Sequence, residues 1–187
     1  MINIPILSSI IFLPLLGSLI ILFIKDENKN YENNVKRSAF LASIGTFILS
    51  IILWLNFDPT YDGYQFVEKK QWITSFNFYY YIGIDGISLF MILLTTFLTP
   101  LCILASWENI KKRIKDYMIA FLVLETLLLG MFSCIDMLLF YVFFESILIP
   151  MFLIIGIWGG ERRIYASFKF FLYTLLGSVL MLLSVIV

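Results

Sequence analysis

Residues 136–158 read DMLLFYVFFESILIPMFLIIGIW, and the fold turns on this run. It is almost wholly apolar and more than about twenty residues long, enough to cross a hydrocarbon core of about 30 Å as a helix. One carboxylate, Glu145, stands near its middle. A charge at the centre of a membrane helix costs roughly a few to more than ten kcal/mol, so an acid kept there marks a functional site by default. Pro150 follows and removes a backbone donor, which would loosen the ladder beside the acid.

Working outward, the rest of the chain is of the same kind. Of 187 residues, 61% are hydrophobic and 14% charged, with a mean hydropathy of +0.96, which excludes a soluble domain. The apolar runs lie at residues 4–24, 38–57, 84–107, 117–134, 136–158 and 164–187. They lack the ten-residue alternation of a membrane barrel. The expectation is an all-α, polytopic transmembrane bundle of about six spans forming one transmembrane domain over 1–187. The third run is expected to be interrupted at Pro100. The first run has neither a basic leader nor a cleavage site and reads as a true helix, not a signal peptide.

Between the second and third runs, turn signals at Asp58-Pro59 and Asp62-Gly63 precede Trp72, Thr74, Phe76, Phe78 and Tyr80 at period two. That pattern predicts a short hairpin at the membrane surface, where aromatic rings are well solvated. Lys and Arg count four in the loop at 25–37, two at 58–83, four at 108–116, none around Ile135-Asp136 and two at 159–163. The alternation puts the basic loops in the cytoplasm or its equivalent and the N-terminus outside.

Composition also excludes chemistry. Net charge is zero, so no field points to nucleic acid. There is no histidine, and Cys102 and Cys134 are too few for an iron–sulfur cluster. No metal site, bound cofactor or phosphate loop is expected, and no catalytic residue in the covalent sense. Proton or ion handling remains. Glu125 lies ten residues before Ile135 and Glu145 ten after it, so both acids fall about 15 Å from the turn, near mid-membrane. Were they to share a hydrated cavity, they would not readily ionise together, which suits a proton carrier. Lys169, Tyr173, Thr174, Gly177, Ser178 and Ser184 add a polar and small-residue face to the sixth run. Helix packing and snorkelling of Lys169 are the plainer explanations there. Asp85 and Asp136 sit where helix N-termini favour a carboxylate.

The block FYVFFESILIPMFLIIGIWGGERRIYASFKFFLYTLLGSVLML, residues 140–182, resembles the antiporter-like subunit M, or chain 4, family of the proton-pumping NADH:quinone oxidoreductase. F-F-E-x-x-L-I-P-M, I-W-G-G with its basic residues and K-F-F-L-Y-T-x-x-G-S are specific together. Y-x-I-G-I-D-G-I-S at residues 80–88 also fits. The resemblance implies an incomplete antiporter-like fold and a proton-translocating membrane-arm subunit, with Glu145 at the position of the family's proton-path acid. Glu125 and Lys169 are possible further members of the path. It implies partners in the lipid bilayer and the other membrane-arm subunits, in the inner membrane of a bacterium or mitochondrion. NADH, FMN, iron–sulfur clusters and quinone would be held by those partners. The family's fold has roughly fourteen helices, and this chain ends inside an apolar run, which reads as a truncated or split product unable to pump alone. A cation/proton antiporter or membrane hydrogenase subunit is the alternative within transport. A structural membrane scaffold is the alternative outside it.

Overall fold

The structure, a computed structural model, describes residues 5–24, 31–73 and 78–186. Six helices follow one another: α1 (Ile6–Phe23), α2 (Tyr31–Leu55), α3 (Gly86–Ala105), α4 (Ile114–Ser133), α5 (Met137–Trp158) and α6 (Arg163–Ile186). Each is long and apolar enough to cross a membrane. Between α2 and α3 lies an antiparallel hairpin, β1 (Gln65–Ile73) and β2 (Phe78–Ile84). The expected period-two run therefore straddles two strands, with Trp72 on β1 and Tyr80 on β2. Thr74 and Phe76 lie outside the described residues, as do Lys25 and Lys29 of the first loop.

Two elements differ from the hydropathy reading. Helix α2 begins at Tyr31, within what reads as a polar loop, because Val35 and Lys36 are buried against the bundle. The Lys36 Nζ donates to the Trp107 carbonyl at 2.6 Å, which pairs a charge that would otherwise be buried alone. Helix α3 runs through Pro100 without interruption, as α1 does through Pro14 and α5 through Pro150. Membrane helices tolerate proline where neighbours and hydroxyls absorb the local strain, and beside Pro100 the Thr99 hydroxyl donates to the Thr95 carbonyl at 2.9 Å.

α4 is the central helix, packed on α1, α2, α3 and α5, whereas among the described helices α6 packs chiefly on α5. Two apolar clusters fill the α1–α4 bundle. One, at the hairpin end, holds Leu7, Leu53, Ile92 and Leu129. The other, at the basic end, holds Ile21, Ala39, Ile103, Met118 and Leu122. Small residues bring backbones close between them. A Cβ added to Gly17 would lie far inside contact with the Cβ of Ala42 on α2, and one added to Gly130 would meet the Phe143 ring of α5 at 2.5 Å.

The ends are closed by side chains. On the hairpin side, the Glu68 carboxylate accepts from the amide of Ser8 at 3.2 Å and from its hydroxyl, in the first turn of α1. Asp136 caps α5 by accepting from the Leu138 and Leu139 amides. On the basic side, Lys115 donates to the Leu22 and Ile24 carbonyls at the end of α1, and Arg163 to the Ile157 carbonyl at the end of α5. These cations satisfy carbonyls that a helix C-terminus leaves open.

Asp85 caps α3, and the Ser88 amide it accepts at 2.7 Å holds its carboxyl below the usual range. Because the folded value is the lower one, this stabilisation is complete above the unfolded carboxylate pKa of about 3.9 and drains as pH falls through the folded value. Asp85→Asn, which keeps a capping oxygen, is expected to leave the thermal midpoint at neutral pH nearly unchanged and to shrink its drop in acid. Thermal scans across that range would disprove the assignment if both proteins lost stability in parallel.

Candidate functional site

Glu145 is the ninth residue of α5, about 12 Å in from the helix start, so its mid-depth placement follows from the tight α4–α5 turn. Its direction follows from the contacts of its own face. Phe152 and Gly156, seven and eleven residues on, lie within about 20° of Glu145 around the helix. Phe152 packs on Phe168 and Phe171 of α6 at 5.4 and 5.6 Å, and Gly156 approaches Ser167. Met137, Leu138, Phe140 and Tyr141 line a cleft with Met181 and Leu182 of α6. Between these contacts, antiparallel pairing puts Glu145 level with Thr174 and Ser178. The Ser178 hydroxyl donates to the Leu175 carbonyl and that of Thr174 to the Phe170 carbonyl, so neither proton is free for the acid. The Glu145 Oε2 is buried without a hydrogen-bond partner.

Glu125 is fully buried, at 1% exposure, and neither carboxylate oxygen has a partner. It stands on the stripe of Met118, Leu122 and Leu129, which packs into the two clusters shared with α1, α2 and α3. α4 meets α5 on another side: Leu127 lines a groove with Val142 and Phe143, and it is about 200° around the helix from Glu125. The two acids thus share a depth and not a cavity. Sequence spacing finds the first and is blind to the second, which depends on which helices become neighbours.

Lys169 is exposed on the side of α6 away from α5, with its Nζ 5.8 and 6.0 Å from the rings of Tyr165 and Tyr173. Of the polar face expected on α6, Thr174 and Ser178 enter the seam beside Glu145, while Tyr173, Gly177 and Ser184 are exposed. Sequence reading missed the hydroxyls of α2. Lys36, Ala39, Ser43, Thr46, Ser50 and Leu53 are all buried, and their three- and four-residue spacing was the available signal. Cys134, just past α4, donates to the Gly130 carbonyl, and burial pushes its thiol up to about 12, so it is no nucleophile. No cluster of three or more His, Cys, Asp or Glu side chains occurs among the described residues.

Residues 9–135 match the family described as NADH-ubiquinone oxidoreductase chain 4, amino terminus. The chain belongs to this family. Residues 134–187 of this chain 4 family member continue into a second match, NADH:quinone oxidoreductase/Mrp antiporter, TM. It is 47% identical over 186 residues to NADH-quinone oxidoreductase subunit M of Rickettsia prowazekii (strain Madrid E), covering 100% of this chain and 38% of that protein. It is 49% identical to NADH-ubiquinone oxidoreductase chain 4 of Arabidopsis thaliana, covering 96% of this chain and 36% of that one. The chain therefore spans a little over a third of the length of these relatives. A chain of respiratory complex I from Thermus thermophilus with bound NADH has the same fold, with a TM-score of 0.79 at 29% identity over 96% of this chain and 35% of that chain. With six spanning helices and this family membership, the protein is an integral membrane protein.

Proposed function

We propose that this chain is a proton-translocating membrane-arm subunit of an NADH:quinone oxidoreductase, with residues 1–187 forming one transmembrane domain. The observation that carries the reading is a mid-membrane carboxylate, Glu145, with an unpartnered buried oxygen, on the α6-facing side of α5 in a chain 4 family member. Glu145 is the group that takes and releases the proton. Glu125, on the α1–α3 side of α4, and Lys169, on the outer side of α6, are proposed as further groups on the route. The chain carries out no redox chemistry, and NADH, FMN, iron–sulfur clusters and quinone belong to partner subunits. It sits in the inner membrane of a bacterium or mitochondrion with its N-terminus outside. Three cations that close helix ends on the basic side, Lys36, Lys115 and Arg163, favour that orientation.

The second half of the chain also matches a family description that includes Mrp antiporters, which supports a cation/proton antiporter subunit as the second reading. Inside-out vesicles distinguish the two. Deleting the chain is expected to abolish NADH-driven acidification and to lower quinone-dependent NADH oxidation, both restored by complementation. Unchanged NADH-driven acidification would sink the first reading, and loss of sodium/proton exchange alone would establish the second.

A further inference from the structure

Between the two apolar clusters of the α1–α4 bundle the interior changes character. On α2, the stretch from Ala39 to Leu53 buries Ser43, Thr46 and Ser50; on α3, that from Ile103 back to Ile92 buries Thr96 and Thr99. On α4, Glu125 and Thr126 occupy the same level, between Leu122 and Leu129. The bundle thus has a polar waist with an apolar plug at each end.

The hydroxyl protons of this waist are already committed. Ser43 donates to the Phe40 carbonyl, Thr46 to Ala42 and Thr126 to Leu122. The Thr96 and Ser50 hydroxyls meet at 2.7 Å, so one of the two donates to the other, which in turn donates to its own helix, at Ile92 for Thr96 or at Phe47 for Ser50. What these groups have left to offer is lone pairs. Glu125, at 1% exposure, finds no donor for either oxygen. A bare carboxylate in a buried layer whose hydroxyl protons are already committed is an arrangement that burial penalises heavily. Among the described residues, the charged groups on the packed helices and their caps stand elsewhere: Glu32, Lys36, Arg37, Lys115 and Asp116 at the basic end, Asp85 and Asp136 at the hairpin end, and Glu145 facing α6.

We propose that the polar waist is a binding site for one small monovalent cation, a proton or a sodium ion, held on Glu125 and surrounded by the hydroxyl oxygens of α2, α3 and α4. One bare carboxylate in a layer of hydroxyls with lone pairs to offer suits a hard cation that takes oxygen ligands, and equally a carboxylic acid donating to a hydroxyl. The site is separate from the α5–α6 seam, and it stands whether or not Glu145 carries translocated protons.

The test uses the native membrane assembly that contains the chain, compared with Glu125→Gln and the conservative Glu125→Asp. In the proton case, infrared difference spectra of the wild type show the carbonyl stretch of a protonated acid, absent in Glu125→Gln and displaced in Glu125→Asp. In the sodium case, that band is missing and the thermal midpoint rises with sodium chloride but not with choline chloride, a rise lost in Glu125→Gln. An ionised Glu125 with no sodium response overturns the proposal, as does an acid band that persists unchanged in Glu125→Gln. Should the glutamine variant fail to assemble, the wild-type sodium series and the aspartate variant still decide.

Discussion

Inside-out vesicles carrying Glu145→Gln are expected to lose NADH-driven proton translocation by roughly tenfold or more, while the assembly survives on native gels. Glutamine keeps the length, planarity and polar ends of the side chain, so the α5–α6 seam built by Phe152, Gly156 and Ser167 should close around it as before. What glutamine cannot do is take up and release a proton. Thr174 and Ser178, level with it across the seam, already give their hydroxyl protons to their own helix. Packing therefore changes little and protonation is removed outright. If translocation continued at the wild-type rate, the acid would be a structural group, and the proton-path reading would have to be withdrawn. If assembly failed, Glu145→Asp, which restores the acid at shorter reach, would separate folding from proton transfer by recovering part of the pumping.

The second large effect is steric. Gly17→Ala adds a single methyl group against the Cβ of Ala42, and neither Cβ can move without its backbone. Helices α1 and α2 must separate, with Leu122 of α4 next in line at 3.5 Å. Overpacking of this kind costs about 1–3 kcal/mol. Thermal unfolding of the native assembly should show the loss, and Ala42→Gly introduced alongside should recover most of it. A harmless Gly17→Ala would mean that the two helices do not touch here. The double variant carries the geometric argument, because a generic loss of glycine flexibility would not be repaired on another helix.

Much of the helix layout was open to reading from hydropathy, because a bilayer imposes a length of about twenty apolar residues that few other constraints imitate. Polar helix ends escaped it. The turn from Tyr31 to Arg37 is helical since Lys36 finds the Trp107 carbonyl, a partner 71 residues away that no local window contains. The depth of Glu145 and Glu125 could be counted from the turn at Ile135. Their directions could not, because facing is settled by Phe152 meeting α6 and Leu129 meeting α1–α3. The hydroxyls of α2 went unread since serine and threonine disappear into an apolar run by returning their protons to their own backbone. Lys169 shows the converse: a conspicuous residue whose exposed position on α6 gives it no acid to meet within the described residues.

The cationic caps carry a consequence for how the protein is made. Lys115 closes the carboxyl end of α1 from 93 residues further along the chain. The first helix therefore leaves the ribosome, and enters the bilayer, with its last carbonyls still seeking a partner. Only when the fourth helix follows does Lys115 seal the earlier span. Lys36 waits in the same way for Trp107. Closure of the early helix ends thus reports that the later helices have packed, and a chain halted before α4 would leave the end of α1 open.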